Sequence, residues 1–426
     1  MDDSVRWARP LVFGILSPPV DMVEVRIMLD WATLYCPNRA CPCYGKPGAQ
    51  GRLVKNGATR GQRQALCRAC GSSVMLRYGT AYADLHGDPA VFETAVRALA
   101  EGNSLRATAR IVQIDKDTAC AWLDRAAQQA RRVMLTLWRN LHVTECQLDE
   151  LWSFVHTKDR NLETALHCCA EYGDAGIGLA VAPRWRLVLA FVVGKRTQAQ
   201  ADLLLQRVVA VTDATIPFFT SDQLAEYPPA LLNAYGQWVQ PPRQGTRGRY
   251  PHPRLEPPPQ LVYAQVVKTR ERGRVVRVQQ TLVFGRCSHL AEYLADSPNS
   301  QTVNTSFVER ANLTMRQQNR RLTRKTNAFS KELPWLEKQL WLALAYDHLV
   351  LPHESLRVEL PDPEATRGTG SLRRWQERTP AMAAGMTDHV WTTAELLGYR
   401  VPAEVMDSWV TLEHLFPALD SLHQGN

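Results

Sequence analysis

The sequence predicts a multi-domain protein with an N-terminal zinc ribbon, an all-α helix-turn-helix domain and a mixed α/β domain carrying a β-hairpin insertion. Three observations support this. Two short cysteine pairs lie near the N-terminus, three capped helical segments follow them, and strand-like patterning begins near residue 145. With 426 residues, 45% of them hydrophobic, the chain can form several cores. We expect domains at residues 31–80, 85–142 and 143–350, and a C-terminal extension of unknown role at 351–426.

Composition and charge favour a nucleic-acid partner and a reducing compartment. Fifty basic against forty-two acidic residues give a net charge of +8, with basic clusters at 268–277 and 316–325. Ten cysteines without secretory features are typical of proteins in which close cysteine pairs bind metal. No apolar run suits a membrane span, and the N-terminus does not resemble a signal peptide. We therefore expect a cytoplasmic protein that does not bind membranes.

The two cysteine pairs predict a structural Zn²⁺ site. Cys36 and Cys41 are separated from Cys67 and Cys70 by a polar segment rich in glycine, with short strands expected at 52–55 and 63–66. Cys43 competes with Cys41 as a ligand, but Cys36 and Cys41 are both followed by proline, which favours Cys41. A segment this short and polar would need zinc to fold. The alternative is a set of unrelated reduced cysteines.

Residues 88–130 predict three helices. Asp88 precedes a proline at the first helical position, Ser104 caps a short second helix at 105–112, and Asp115 opens a third. The short helix, turn and longer helix are typical of a helix-turn-helix whose last helix enters the major groove of DNA. A plain three-helix bundle is the alternative. The candidate phosphate contacts are Arg106, Arg110, Lys116 and Arg125.

From residue 145 the pattern indicates an α/β domain. A strand at 145–155 carries Asp149 and Glu150 in its middle, where a charged pair is costly unless a metal or partner compensates. A later short strand ends at Asp222. Further strands are expected at 164–170, 177–182 and 186–193, and helices at 197–211 and 228–235. This order suggests a sheet of the RNase H type.

The last third of the chain predicts a hairpin and two helices. Runs rich in β-branched residues at 261–268 and 274–284 flank a basic tip, and 334–349 is an apolar closing helix. Residues 304–326 read as one helix. One side gathers apolar residues such as Val308 and Met315, and the other gathers Glu309, Asn312, Arg316 and Arg320.

The charge order along 304–326 points to function. A single acid, Glu309, precedes a track of basic residues, whereas a purely solvated helix usually intersperses signs. We interpret Glu309 as catalytic and the track as a grip on phosphates, with a solvated outer face as the alternative. The track comprises Arg316, Arg320, Arg321 and Arg324, with Asn312 beside it.

Three carboxylates occupy positions in the predicted elements that suit metal binding. Asp149, Asp222 and Glu309 could together hold two Mg²⁺ ions about 3.5–4 Å apart, as phosphoryl-transfer sites do. Mg²⁺ prefers oxygen ligands, and we expect Mn²⁺ to substitute for it.

The motifs resemble those of bacterial insertion-sequence transposases of the IS-one type. The resemblance runs from Cys36 to Leu349 through CPNRACPCYGKPG, CRACG, SLRATARIVQIDKDTACAWL, LDELW, TSD and FVERANLTMRQQNRRLTRKTNAFSK. It implies a DDE transposase with Asp149, Asp222 and Glu309 as its triad, and leaves the role of Glu150 open. The proline-rich stretch at 241–259, the hairpin and both termini depart from the compact members of the family.

The resemblance also implies partners and a location. A transposase acts on double-stranded DNA, both at transposon ends and in the target, and works as a homodimer or larger homo-oligomer associated with the bacterial nucleoid. Two rival functions remain open at this point. One is a catalytically inert DNA-binding regulator derived from a transposase, and the other is a structural protein whose zinc module contacts partners.

Overall fold

The N-terminal module is a small three-stranded antiparallel sheet. We describe it in a computed structural model that covers residues 30–59, 61–164, 172–243, 250–323, 325–366, 370–405, 407 and 414–416. The strands are β1 (Leu53–Thr59), β2 (Gln62–Cys67) and β3 (Ser73–Met75), in the order β1-β2-β3. The two strands predicted in this segment are confirmed.

Three helices follow, and the predicted start of each is confirmed. They are α1 (Pro89–Ala100), α2 (Leu105–Val112) and α3 (Lys116–Leu137). Asp88, Ser104 and Asp115 each accept a hydrogen bond from a backbone N–H of the first helical turn, at 2.8, 3.2 and 2.7 Å. These caps satisfy N–H groups that the helix itself leaves without partners.

A mixed six-stranded sheet forms the centre of the molecule, in the order β11-β10-β7-β4-β5-β6. Its strands are β4 (Glu145–Val155), β5 (Gly173–Ala182), β6 (Leu187–Gly194), β7 (Phe218–Ser221), β10 (Tyr263–Glu271) and β11 (Arg274–Phe284). A separate two-stranded pair consists of β8 (Gln237–Val239) and β9 (Arg254–Glu256). The strand predicted at 164–170 lies, apart from its first residue, outside the described residues.

The pairing directions explain how the sheet is built. β4, β5 and β6 form an antiparallel meander, and β7 then joins β4 in parallel. β10 pairs in parallel with β7 and antiparallel with β11, so the predicted hairpin is an edge of the sheet and not a separate insertion.

The remaining elements are α4 (Gln198–Val211), α5 (Tyr227–Tyr235), α6 (Cys287–Asp296), α7 (Ser306–Gln318), α8 (Leu333–Leu349), β12 (Val358–Ala365), β13 (Leu372–Gln376), α9 (Pro380–Ala383) and α10 (Thr393–Gly398). Short 3₁₀ turns lie at Gly48–Gly51, Asp159–Thr164, Arg320–Leu322 and Glu354–Leu356.

The helix predicted over residues 304–326 is too long. α7 ends at Gln318 because Asn319 adopts an extended backbone, and its side chain accepts a hydrogen bond from the Arg321 N–H at 3.0 Å. An asparagine that hydrogen-bonds to nearby backbone competes with helix continuation. The basic track therefore leaves the helix after Arg316 and continues through the turn Arg320–Leu322.

One continuous core joins the helical segment to the sheet. The second half of α3 contributes apolar residues to the same cluster as β4, β5, β6 and α8. The Trp138 indole N–H donates to the Val188 carbonyl at 2.9 Å. Lys338 on α8 is fully buried and lies 2.6 Å from the Asp124 carboxylate on α3. The segment predicted as a separate domain thus shares its longest helix with the sheet core.

The C-terminal segment packs back onto the rest of the chain. Trp391 and Leu396 belong to the main core. Arg400 is buried and donates to the carbonyls of Asp30 and Tyr78 at 3.0 and 2.9 Å, which ties this segment to the N-terminal module. Among the described helices, none combines the length and the apolar character that crossing a bilayer requires.

We predict that Lys338→Met lowers the free energy of unfolding by about 3 kcal/mol, because it leaves the Asp124 carboxylate without its partner. Urea unfolding followed by circular dichroism measures this. The same change at exposed Lys331 is the control, and should stay within about 0.5 kcal/mol of wild type. Combining Lys338→Met with Asp124→Leu should restore much of the stability, whereas equal losses at Lys338 and Lys331 would contradict a structural role for the pair.

Candidate functional site

Four cysteine thiols converge in the N-terminal module. The Sγ atoms of Cys36 and Cys70 are 3.6 Å apart, and those of Cys41 and Cys67 are 3.8 Å apart. All four lie within 4.8 Å of one another, and three of the four residues are buried. Tetrahedral zinc with Zn–S bonds of about 2.3 Å places its sulfurs roughly 3.8 Å apart, so the group could hold a zinc ion. Cys43 is buried nearby but lies outside this group.

Local backbone geometry creates this cluster. The Cys41 N–H donates to the Asn38 carbonyl at 2.9 Å, and the Gly71 N–H donates to the Cys67 carbonyl at 2.8 Å, so each pair sits on a tight turn. Gly71 has φ +73°, a conformation that favours glycine. Hydrogen bonds from Ser72 lower the pKa of the Cys70 thiol to about 6, whereas burial raises that of Cys36 to about 12. Zinc binding would require all four thiols to be deprotonated.

A cluster of three carboxylates lies at the centre of the large sheet. Asp149 and Glu150 lie in the middle of β4, and Asp222 directly follows β7. Parallel pairing of Leu148 with Ser221 brings the end of β7 beside the two acids. One carboxylate oxygen from each of the three acids lies within 4.8 Å of the others, so this group could hold a metal ion.

Glu309 and the three-carboxylate cluster line one cavity, which we call the acidic cavity. Glu309 is not part of the cluster itself. The cavity has a volume of about 550 Å³ and is lined by Asp149, Asp222 and Glu309 together with basic residues. The Glu309 carboxylate forms an ion pair with Lys268 on β10 and accepts a hydrogen bond from the Thr305 hydroxyl at 2.7 Å. The structure therefore places Glu309 on the wall of the cavity that Asp149 and Asp222 also line, where it pairs with a lysine.

The electrostatics of the three-carboxylate cluster favour a cation. Burial, reinforced by the charge of Asp222, raises the pKa of Asp149 to about 6. Burial and the neighbouring acids likewise raise the pKa of Glu150 to about 7, and burial raises that of Asp222. Burial also acts on Glu309, but hydrogen bonds from Lys268 and Thr305 outweigh it, so its pKa is lowered. Burial and mutual repulsion thus disfavour the charged forms of these acids, and a bound divalent ion would offset both effects.

Asn312 contacts the cluster directly. Its amide Nδ2 donates to Asp149 Oδ2 at 2.7 Å, and it is 4% exposed. Its buried Oδ1 has no hydrogen-bond partner among the described residues. The sequence placed Asn312 among the DNA contacts, whereas the structure places it where it orients the Asp149 carboxylate.

Gln147, which the sequence analysis did not single out, fixes the position of α7. It is fully buried on β4, and its Oε1 accepts the N–H groups of Phe307 and Val308 at 3.0 and 3.1 Å. These are helix N-terminal donors, and the N-cap residue Thr305 makes no side-chain cap. The sequence signal that was available is a glutamine at a buried position of a strand whose other buried residues are mostly apolar.

The basic residues predicted on the helix-turn-helix divide into two groups. Arg106, Arg110 and Lys116 are exposed, and Lys116 pairs with its neighbour Asp117. Arg125 is half-buried and donates to the carbonyls of Ala81 and Ala83. The first group is open to solvent, whereas Arg125 supports the loop before α1.

The basic track after Glu309 also divides. Arg316 lines the acidic cavity, and Arg320 is exposed. Arg321 is half-buried and donates to the Ser330 hydroxyl at 3.0 Å. Arg324 lies outside the described residues.

The chain was compared with protein-family models and with curated proteins. No family model and no curated protein matches it. The function proposed below therefore rests on the geometry of the cysteine group and of the cavity lined by the carboxylates.

We predict that Cys67→Ser removes about one zinc per chain, because tetrahedral coordination needs all four thiolates. Metal analysis of the purified protein measures this. Cys43→Ser is the matched control, since Cys43 is buried in the same module but lies outside the group. Unchanged zinc in Cys67→Ser, or equal loss in Cys43→Ser, would exclude the assigned ligand set.

Proposed function

We propose that this protein is a DDE transposase, similar to the insertion-sequence transposases of the IS-one type, that cleaves and transfers DNA strands at terminal inverted repeats. The observation that carries the proposal is the acidic cavity. Asp149 and Asp222 lie together in it, Glu309 lies on its wall, and Lys268, Arg270 and Arg316 surround them. Carboxylates for metal beside cations for phosphate are the groups that phosphoryl transfer requires.

The order of the sheet supports an RNase H-type catalytic domain. An antiparallel meander is followed by a helix and then by two strands parallel to the first, with α7 and α8 after them. Asp149 lies on β4, Asp222 directly follows the adjacent parallel strand β7, and α7 supplies Glu309. The fold thus offers the three acids of the triad from three separate elements.

Each acid has a distinct part in this proposal. Two Mg²⁺ ions, or Mn²⁺ in their place, would supply Lewis-acid activation of the attacking oxygen and stabilisation of the leaving oxygen. Asp149 and Asp222 would hold the metal, with Asn312 orienting Asp149. Glu309 would complete the site once its carboxylate exchanges Lys268 for metal. Lys268, Arg270 and Arg316 would then face the scissile phosphate.

The N-terminal half would bind the ends of the element. We propose that zinc organises the cysteine module, and that exposed Arg106, Arg110 and Lys116 contact DNA phosphates from the helix-turn-helix. Action on two ends calls for a homodimer or a larger homo-oligomer on double-stranded DNA, within the bacterial nucleoid.

One observation favours a second candidate, a catalytically inert DNA-binding regulator. The ion pair between Lys268 and Glu309 already neutralises the third acid of the triad. If that pair persisted in the presence of metal, the protein would bind DNA ends without cutting them.

We predict that wild-type protein cleaves DNA carrying the element's own flanking repeats in Mg²⁺, and that Glu309→Ala lowers cleavage at least ~100-fold. Loss of even outer-shell partners of a metal costs about 10–100-fold, and Glu309 is assigned to the metal itself. Strand cleavage on denaturing gels measures this. Glu292→Ala, an exposed acid on α6, is the control and should cleave normally.

We further predict that the double variant Asp149→Ala, Glu309→Ala retains binding to the repeat ends while losing cleavage, because both side chains are assigned to chemistry and not to DNA recognition. Electrophoretic mobility shifts measure binding. Loss of binding together with cleavage would show that these acids are structural. Binding without cleavage by wild type, in Mg²⁺ and in Mn²⁺, would identify the inert regulator.

A further inference from the structure

A second cavity lies on the other side of α7 from the acidic cavity. It has a volume of about 300 Å³ and is bounded by α7, α8 and the turn between β5 and β6. We call it the basic cavity and define it by Arg186, Phe307, Arg310, His353 and Ser355. Residues that line the acidic cavity alternate along α7 with those that line the basic one, so the helix forms a wall of both.

Arg186 is held in place by the structure around it. Its guanidinium stacks 4.2 Å from the centre of the Phe307 ring, and its Nε donates to the Ser355 hydroxyl at 3.2 Å. Its backbone has φ +56°, a conformation uncommon for residues other than glycine. Within the described chain, no carboxylate lies at ion-pair distance from this half-buried cation. A fixed guanidinium with spare donors is well suited to receive an anion.

Arg310 supplies a second cation to the same cavity. It is exposed on α7, and no hydrogen bond or ion pair joins its side chain to another described residue. Among the described residues of the wall, the one acid is Asp347, and it is already engaged, since its carboxylate accepts from Gln318 Nε2 at 2.9 Å and lies 3.1 Å from His348 Nδ1. His353 and Ser355 add polar groups to the wall of the same cavity.

We propose that the basic cavity binds a phosphate group. Guanidinium groups recognise phosphate oxygens through paired charge-assisted hydrogen bonds, and the cavity has room for a phosphate with an ester substituent. Two sources share this chemistry: a backbone phosphate of DNA crossing α7, and a free phosphate or phosphoester. The phosphate site itself does not depend on the proposed catalysis, and only the DNA source is linked to it.

The first test uses inorganic phosphate as the probe. We expect phosphate to raise the Tm of the full-length protein above its value in sodium chloride of equal ionic strength, because a ligand that binds only the folded state stabilises it. Arg310→Gln, an exposed position, should lose this rise without changing the Tm in chloride. Arg186→Gln should lose it as well. Arg184→Gln is the matched control, since Arg184 is exposed in the same turn but outside the cavity.

The second test measures binding to a short DNA duplex by fluorescence anisotropy at several salt concentrations. Each lost phosphate contact lowers the slope of log K against log[salt] by about 0.9. A lower slope in Arg186→Gln and Arg310→Gln, but not in Arg184→Gln, would support a DNA backbone phosphate as the occupant. Loss of the phosphate-induced Tm rise alone would support a free phosphate or phosphoester.

The proposal is overturned if neither measurement changes, or if Arg184→Gln changes equally. Because neither test requires cleavage, an inactive enzyme would leave this result intact.

Discussion

The arrangement of the acidic cavity depends on one buried polar contact, between Gln147 and the start of α7. Gln147 is fully buried. Its Oε1 accepts hydrogen bonds from two N–H groups of α7, and its Nε2 donates to Glu145 and Asn304. Buried polar groups with all partners in place define one geometry, because any shift leaves a donor unsatisfied. With α7 fixed in this way, Asn312 reaches Asp149 and Glu309 reaches the wall of the cavity.

The segments predicted as separate domains pack against one another more closely than their sequence boundaries indicate. α3 begins in the N-terminal helical segment and ends in the core of the sheet, and the ion pair between Lys338 and Asp124 joins it to α8. Arg400 connects the C-terminal segment to the N-terminal module. If the N-terminal half binds DNA as we propose, its packing against the sheet would pass the orientation of the DNA on to the acidic cavity.

α7 separates two cavities of opposite charge. On one side, burial and then mutual repulsion raise the pKa values of the clustered carboxylates and favour a bound cation, and on the other side Arg186 and Arg310 favour a bound anion. In a phosphoryl-transfer enzyme these requirements are complementary, because metal and phosphate are bound together. The ion pair between Lys268 and Glu309 lies on the acidic side, where it balances the charge of the third acid.

The sequence by itself determined the features that local interactions specify. The caps Asp88, Ser104 and Asp115 involve only neighbouring residues, and the cysteine spacing fixes two tight turns, so both could be predicted. Only the tertiary structure decided that Glu309 pairs with Lys268 and that Asn312 is buried against Asp149. These outcomes depend on sheet register and on packing between distant segments, and the helical pattern of residues 304–326 contains no information about either.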